Sequence, residues 1–351
     1  MDLRSRIELT RRARARRERL TRVLATAGAG VVVFTLFAIP VFLAFELLPF
    51  APWPDAIGHA LGALLVGTTK ATLAALLIAL PLGIGAAIYN ARFSALRLRN
   101  VVRPMLEIVE AFPSVVIGLV AAVWLAPWLR LHLFQVVLFV LGASLLVFAV
   151  GHILGSVRRT AAPGLERWLP FFLMPIFALL AILIGISIAP GAGVVPVTPW
   201  NSIVIGIALG FAAIPMVFSI AEDALGLVPD RIVDGALALG ATRWQALRTL
   251  VLPTVAPSLL TAALLAAGRC AGETMIVLMA SGNTALATFD PLVGLRTLSA
   301  DIALTLPVTE PGSGAYRLLM LVTLLLFAFS FALNAGGERI RRKLRRHLSA
   351  L

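Results

Sequence analysis

Long apolar runs separated by short polar interruptions make up most of this chain, and their lengths set the first expectation. Crossing a hydrocarbon core of ~30 Å takes roughly 20 helical residues. Runs of that size lie at about 22–48, 61–91, 104–128, 133–155, 170–190, 201–222, 255–281 and 315–335, which predicts eight membrane-spanning helices. Pro49, Pro52 and Pro54 follow the first run, and Pro190, Gly191, Gly193, Pro196 and Pro199 follow the fifth. Such a density of helix breakers predicts short connectors. The stretch from Gly282 to Gly314 is longer and carries Asp290, Asp301 and Glu310 among its prolines, so a small reentrant or external cap is expected there.

The interruption at 224–252 has a different pattern, that of two short helices meeting at Gly240. In its second half Trp244, Leu247, Leu250 and Val251 recur at helical spacing, with Arg243, Gln245 and Thr249 on the opposite side. Gly240 can adopt positive φ and so permits a sharp change of direction. Leu252-Pro253 is expected to close the second helix before the next span begins. A rigid, exposed helix-glycine-helix attached to a span is suited to transmitting a push from a soluble partner. An inert amphipathic connector fits the same pattern.

Charge then orients the helices, because cytoplasmic loops retain Lys and Arg. Nine arginines run from Arg4 to Arg22, and further basic residues follow the second (Arg92, Arg97, Arg99, Arg103), fourth (Arg158, Arg159, Arg167), sixth (Arg231, Arg243, Arg248) and eighth (Arg339 to Arg346) runs. The opposite loops hold Arg130, Arg296 and Arg317, so both termini are expected in the cytoplasm. A hydrophobic content of 60% against 13% charged residues excludes a soluble globule. It also recasts the net charge of +13 as topology signal and headgroup contact rather than nucleic-acid binding. The first run, too long for a cleavable leader, is read as a permanent span. The resulting layout is a basic tail at 1–21, a first helix and external loop at 22–60, a transmembrane domain at 61–335 and a basic tail at 336–351.

Within the apolar runs a few residues carry chemistry. Arg269 falls near the middle of its run, where an arginine costs ~2.5–3.5 kcal/mol on insertion scales and marks a bundle interior or a water-filled path. Glu273 is placed one helical turn later on the same face. Either the two neutralise each other, or the guanidinium offers its planar donors to an oxyanion while Glu273 orients it. Gly268 and Gly272 form a G-x-x-x-G pair that would let another helix approach. Lys70 is expected to snorkel to the outer interface, and Glu107 and Glu110 to pair with nearby arginines. His59, His132, His152 and His347 lack metal-ligand spacing, so no metal is predicted, and the single Cys270 rules out an internal disulfide. Neither Lys70 nor Lys343 lies in a G-x-x-x-x-G-K-[ST] context, so no ATP-cradling loop is read and no cofactor is expected on this chain.

Several stretches resemble ABC importer permeases. Asp234-Gly235-Ala236, three residues, Gly240 and the later Leu252-Pro253 are similar to that family's coupling-loop signature E-A-A, three residues, G and L-P, with Asp for Glu and Gly for Ala. The run Gly240-Ala241-Thr242-Arg243-Trp244 strengthens the match. Gly268-Arg269-Cys270-Ala271-Gly272-Glu273-Thr274 looks like the G-R-x-x-G-E-T segment of phosphate permeases, its Met275 continuation resembling the PstC-type subunit. Phe112-Pro113-Ser114-Val115-Val116-Ile117-Gly118 is similar to the P-S-V-V-x-G segment of an early core span, and Ile214-Pro215, Glu222-Asp223-Ala224-Leu225 and Val228-Pro229 also look like family positions.

The resemblance implies an all-α polytopic membrane protein with the type I importer permease fold: a six-helix core plus a hairpin inserted near 130–200. It implies an ATP-driven phosphate importer in a prokaryotic plasma membrane. Arg269 and Glu273 would line the substrate path; Asp234, Gly235, Ala236, Gly240, Ala241, Arg243, Leu252 and Pro253 would couple to the ATPase; Gly268, Gly272, Pro113 and Ser114 would serve helix packing. The implied partners are a PstA-type second permease, two PstB-type ATP-binding subunits that hold ATP and Mg, and an extracytoplasmic PstS-type phosphate-binding protein. The chain itself would not be an enzyme. A permease for sulfate or molybdate, or an ion-coupled secondary carrier using Arg269 and Glu273 as a proton-linked pair, are the alternatives, as is a subunit that reports phosphate status to a kinase.

Overall fold

The computed structural model describes residues 3–47, 57–133, 135–136 and 199–348, and among them the regular structure is helical. In chain order the helices are α1 (Leu3–Glu46), α2 (Ile57–Arg92), α3 (Leu96–Glu110), α4 (Ser114–Leu133), α5 (Ser202–Gly226), α6 (Asp230–Ala238), α7 (Arg243–Gly272), α8 (Met275–Ala280), α9 (Leu298–Thr305) and α10 (Gly314–Leu348). Helices α1, α2, α4, α5, α7 and α10 are long and apolar enough to cross a membrane. The additional spans expected near 133–155 and 170–190, and hence most of the inserted hairpin, lie outside the described residues.

Helix association in lipid rests on close packing, because the surrounding tails are as apolar as the side chains, and small residues permit that closeness. The α2–α5 pair shows this. A Cβ on Gly206 would sit 2.9 Å from Ala74, and one on Gly210 would sit 3.0 Å from the Ala75 carbonyl oxygen. The buried core then extends through Ala71, Ala75, Val204, Ile205, Leu209, Leu129, Cys270 and Ile276, bringing α2, α4, α5, α7 and α8 together. Helix α10 lies along α7, with Gly268 against Asn334 and the Thr261 hydroxyl 3.3 Å from the Gly337 carbonyl oxygen. Helix α1 rests on α10 through Leu43, Leu319 and Met320 and leaves Phe34, Phe37 and Phe45 exposed, as a lipid-facing peripheral helix would.

Two spans depart from their expected bounds, and one expected helix stop is absent. The run at 104–128 is divided: α3 is amphipathic and ends at Glu110, and the span proper is α4, started by Pro113 with φ −60° and ψ 127°. Proline fixes its own φ and disfavours helix in the residue before it, so the chain breaks there. The run at 255–281 is divided at Gly272–Thr274 into α7 and α8. Leu252-Pro253 does not stop a helix, since α7 continues from Arg243 through it. A π turn at Leu247–Val251 is the reason: the Leu252 N–H reaches back to the Leu247 carbonyl, and this widened turn accommodates the proline ring and its missing donor. The two basic tails are helical continuations of α1 and α10 rather than separate segments.

Candidate functional site

The break between α7 and α8 organises the site. Gly272 ends α7, and Glu273 is extended, with φ −69° and ψ 123°. Arg269 thus occupies the last turn of α7, where a cation complements the negative end of the helix dipole. Glu273 lies at the start of α8, and its Oε1 accepts the Met275 N–H at 3.1 Å. Within one unbroken helix, arginine before glutamate would be the unfavourable order. The break reverses this by giving each charge its own favourable terminus.

The expected Arg269–Glu273 pair is therefore not formed. Arg269 Nη1 instead meets Glu110 Oε1 at 2.9 Å, and both side chains are about two-fifths exposed, at 39% and 41%. Glu110 is the last residue of α3, so the two helix breaks, at 111–113 and 272–274, lie side by side. Irregular backbone inside a membrane domain persists only where protein buries it or a water-filled cavity borders it. Here protein covers part of it. The Ser299 hydroxyl of α9 donates to the Glu273 carbonyl at 2.9 Å, and a Cβ on Gly118 of α4 would lie 3.1 Å from both Ile276 Cα and the Met275 carbonyl oxygen. Gly118, more than Pro113 or Ser114, is the packing residue of that segment; Pro113 is exposed and Ser114 opens α4. Gly268 does pack, but Gly272 meets nothing within 4 Å, because it is the exposed end of its helix.

Beyond the break, the 281–297 part of the stretch from Gly282 to Gly314 folds back on itself, with Gly282 bridged to Leu295 and Arg296 paired with Asp301 at 3.2 Å. Burial pushes the Asp301 carboxyl above the ordinary carboxylate range, against the pull of the Arg296 guanidinium. Lys70 does not snorkel. It is buried, and its Nζ donates to the Val293 carbonyl of that stretch at 3.3 Å.

The loop at 224–252 has the expected two helices and turn. Helix α6 ends in a Schellman motif: Gly240, at φ +87°, donates to Leu237 and Ala241 donates to Ala236. Thr242 then opens α7 with a capping box, its hydroxyl accepting the Gln245 N–H while Gln245 Oε1 accepts the Thr242 N–H at 2.7 Å. The T-x-x-Q spacing that encodes this box is legible in the sequence, although neither Thr242 nor Gln245 was among the expected coupling residues. The apolar face of the second helix is divided: Leu247 and Val251 are buried, whereas Trp244 is 60% exposed and Leu239, at the turn, 91%. Asp234, Gly235 and Arg243 are exposed as well, and Asp234 and Arg243 border a cavity of about 210 Å³ beneath the end of α2.

This loop is fixed at its base. Glu222, 2% exposed near the C-terminal end of α5, accepts from Asn90 Nδ2 at 2.8 Å and faces Arg99 at 3.5 Å and Arg103 at 3.8 Å. Arg92 donates to the Val228 carbonyl at 3.1 Å and pairs with Asp230, the first residue of α6, at 3.0 Å. Glu107 is paired with Arg103, as expected of it.

A family model described as the binding-protein-dependent transport system inner membrane component matches residues 167–346, a stretch that contains both the capped turn and the broken helix. The chain belongs to this family. Among relatives of such inner membrane components, the chain is 26% identical over 348 residues to YqgH of Bacillus subtilis, named a probable ABC transporter permease protein, with 94% of this chain and 93% of that one covered. It is 27% identical over 301 residues to the phosphate transport system permease protein PstC 1 of Mycobacterium bovis, covering 83% and 77%. Among solved structures it is similar to the MetNI methionine ABC transporter in inward-facing conformations, at 18% identity, a TM-score of 0.44 and coverage of 80% and 93%. The chain is a multi-pass membrane component of a transport system.

Proposed function

We propose that the chain is the permease subunit of an ATP-driven importer for inorganic phosphate, forming the path with a second permease. The observation that carries this reading is Arg269 at a helix break, half-exposed inside a membrane domain. An arginine there is costly unless it borders water or a partner, and transporter sites recur at the ends of discontinuous helices. A guanidinium presents a planar fork of donors suited to a tetrahedral oxyanion. The names of relatives such as PstC 1 support phosphate as that oxyanion.

In this reading the 224–252 loop, where Leu239 and Trp244 stand uncovered, seats on one of two separate ATPase subunits. ATP and Mg belong to those subunits. An extracytoplasmic binding protein delivers phosphate from outside a prokaryotic plasma membrane. Glu273 holds the start of α8 through the Met275 N–H and so fixes the break that presents Arg269.

The test is uptake of labelled phosphate, with sulfate as competitor, in cells carrying the whole transporter with either the parent chain or Arg269→Gln at equal membrane abundance. Phosphate-selective uptake that the variant loses is the expected result. Unchanged uptake in the variant would remove Arg269 from the path, and stronger competition by sulfate would move the assignment to another oxyanion.

A further inference from the structure

We infer that Glu110 is the exchangeable counter-anion of Arg269: the travelling oxyanion takes the guanidinium by displacing this carboxylate, and the returning carboxylate drives the oxyanion off. The inference rests on the reading of Arg269 as part of the anion path.

Four observations lead to it. Glu110 is the last residue of α3, where an acid opposes the helix dipole, so stability of that helix does not explain it. Among the described residues it is the carboxylate paired with Arg269, since Glu273 is engaged with the Met275 N–H. The pair has one contact at 2.9 Å and is about two-fifths exposed on both sides, which makes it weak enough to part. A carboxylate and a phosphate use the same guanidinium donors, so one must leave before the other binds.

The carrier of Glu110 also suits an exchange. Helix α3 is held near its other end by Glu222, through Arg99 and Arg103, at the base of the 224–252 loop. Arg103 precedes Glu110 by roughly 10 Å of helical rise. A shift of the loop base therefore reaches the Arg269 pair through a single helix.

The experiment uses the complete transporter in proteoliposomes, with labelled phosphate and labelled sulfate run in parallel. Glu110→Gln, Glu110→Asp and Arg269→Gln are compared with the parent. With its competitor neutralised, Glu110→Gln is expected to lower KM by about three- to five-fold, the scale of a half-exposed ion pair, and to lower Vmax because release loses its driver. Glu110→Asp keeps the charge and stays near the parent in both constants. A merely structural role would not lower KM. If Arg269→Gln is inactive while Glu110→Gln keeps both constants, the exchange is wrong and the path reading survives. If Arg269→Gln transports both anions like the parent, the path reading fails and the exchange fails with it. Failure of Glu110→Gln to accumulate in the membrane would make Glu110 structural and overturn the inference.

Discussion

Helix α3 takes part in two arginine–carboxylate sites, and the contrast between them separates anchoring from exchange. Near its N-terminal end Arg99 and Arg103 converge on Glu222, which is 2% exposed and also holds Asn90 at 2.8 Å. At its other end Glu110 makes one contact to Arg269, with both partners open. The chemical groups are the same. A buried acid with several partners is costly to vacate, whereas a half-exposed pair contributes little and is easily replaced.

The comparison can be broken most directly at Glu222. Glu222→Ala leaves the buried Asn90 amide without its acceptor and removes the carboxylate that Arg99 and Arg103 share, and is expected to cost roughly 1.5–3 kcal/mol, the range for hydrogen bonds to charged groups, whereas Glu110→Gln stays below about 1 kcal/mol. Thermal unfolding of the purified complex in detergent measures both, and equal losses would erase the distinction. Gly118→Val places carbon against the backbone of Ile276 and Met275, and overpacking of this kind costs about 1–3 kcal/mol. It should reduce uptake at equal abundance, because α4 can no longer close on the break that presents Arg269; full uptake would show that the break tolerates movement of α4. A more local effect is expected at Gly240→Ala, where a Cβ meets nothing within 4 Å and the penalty is the left-handed φ of +87°, about 1–2 kcal/mol. Faster hydrogen exchange confined to residues 230–246 would bear this out, and a change spreading to 269–275 would couple the turn to the site.

Much of this was legible in the sequence, and what was not has a physical cause. Run lengths located the described spans, and Gly240 announced its turn because only a residue without Cβ tolerates that φ cheaply. The signals at Gly272 and Pro113 were present too, but hydropathy averages over a helix break when both flanks are apolar. The partner of Arg269 was not legible. The i,i+4 rule nominates Glu273 because it is local, while Glu110 is 159 positions away and is brought there by the packing of α4 on α8. Leu252-Pro253 misled for a similar reason: the proline rule assumes α-helical pitch, and the π turn ahead of it relaxes that assumption.

That π turn has a mechanical consequence. Because α7 runs on past Pro253, the capped turn at Thr242 and the arginine at the break are two ends of one strut. From Arg243 to Arg269 the strut measures about 39 Å at the usual rise per residue, so a tilt of about 5° at its foot swings the arginine through an arc of roughly 3 Å. A displacement of that size is larger than a 2.9 Å contact tolerates, so the helix that carries Arg269 need tilt only slightly to part it from Glu110.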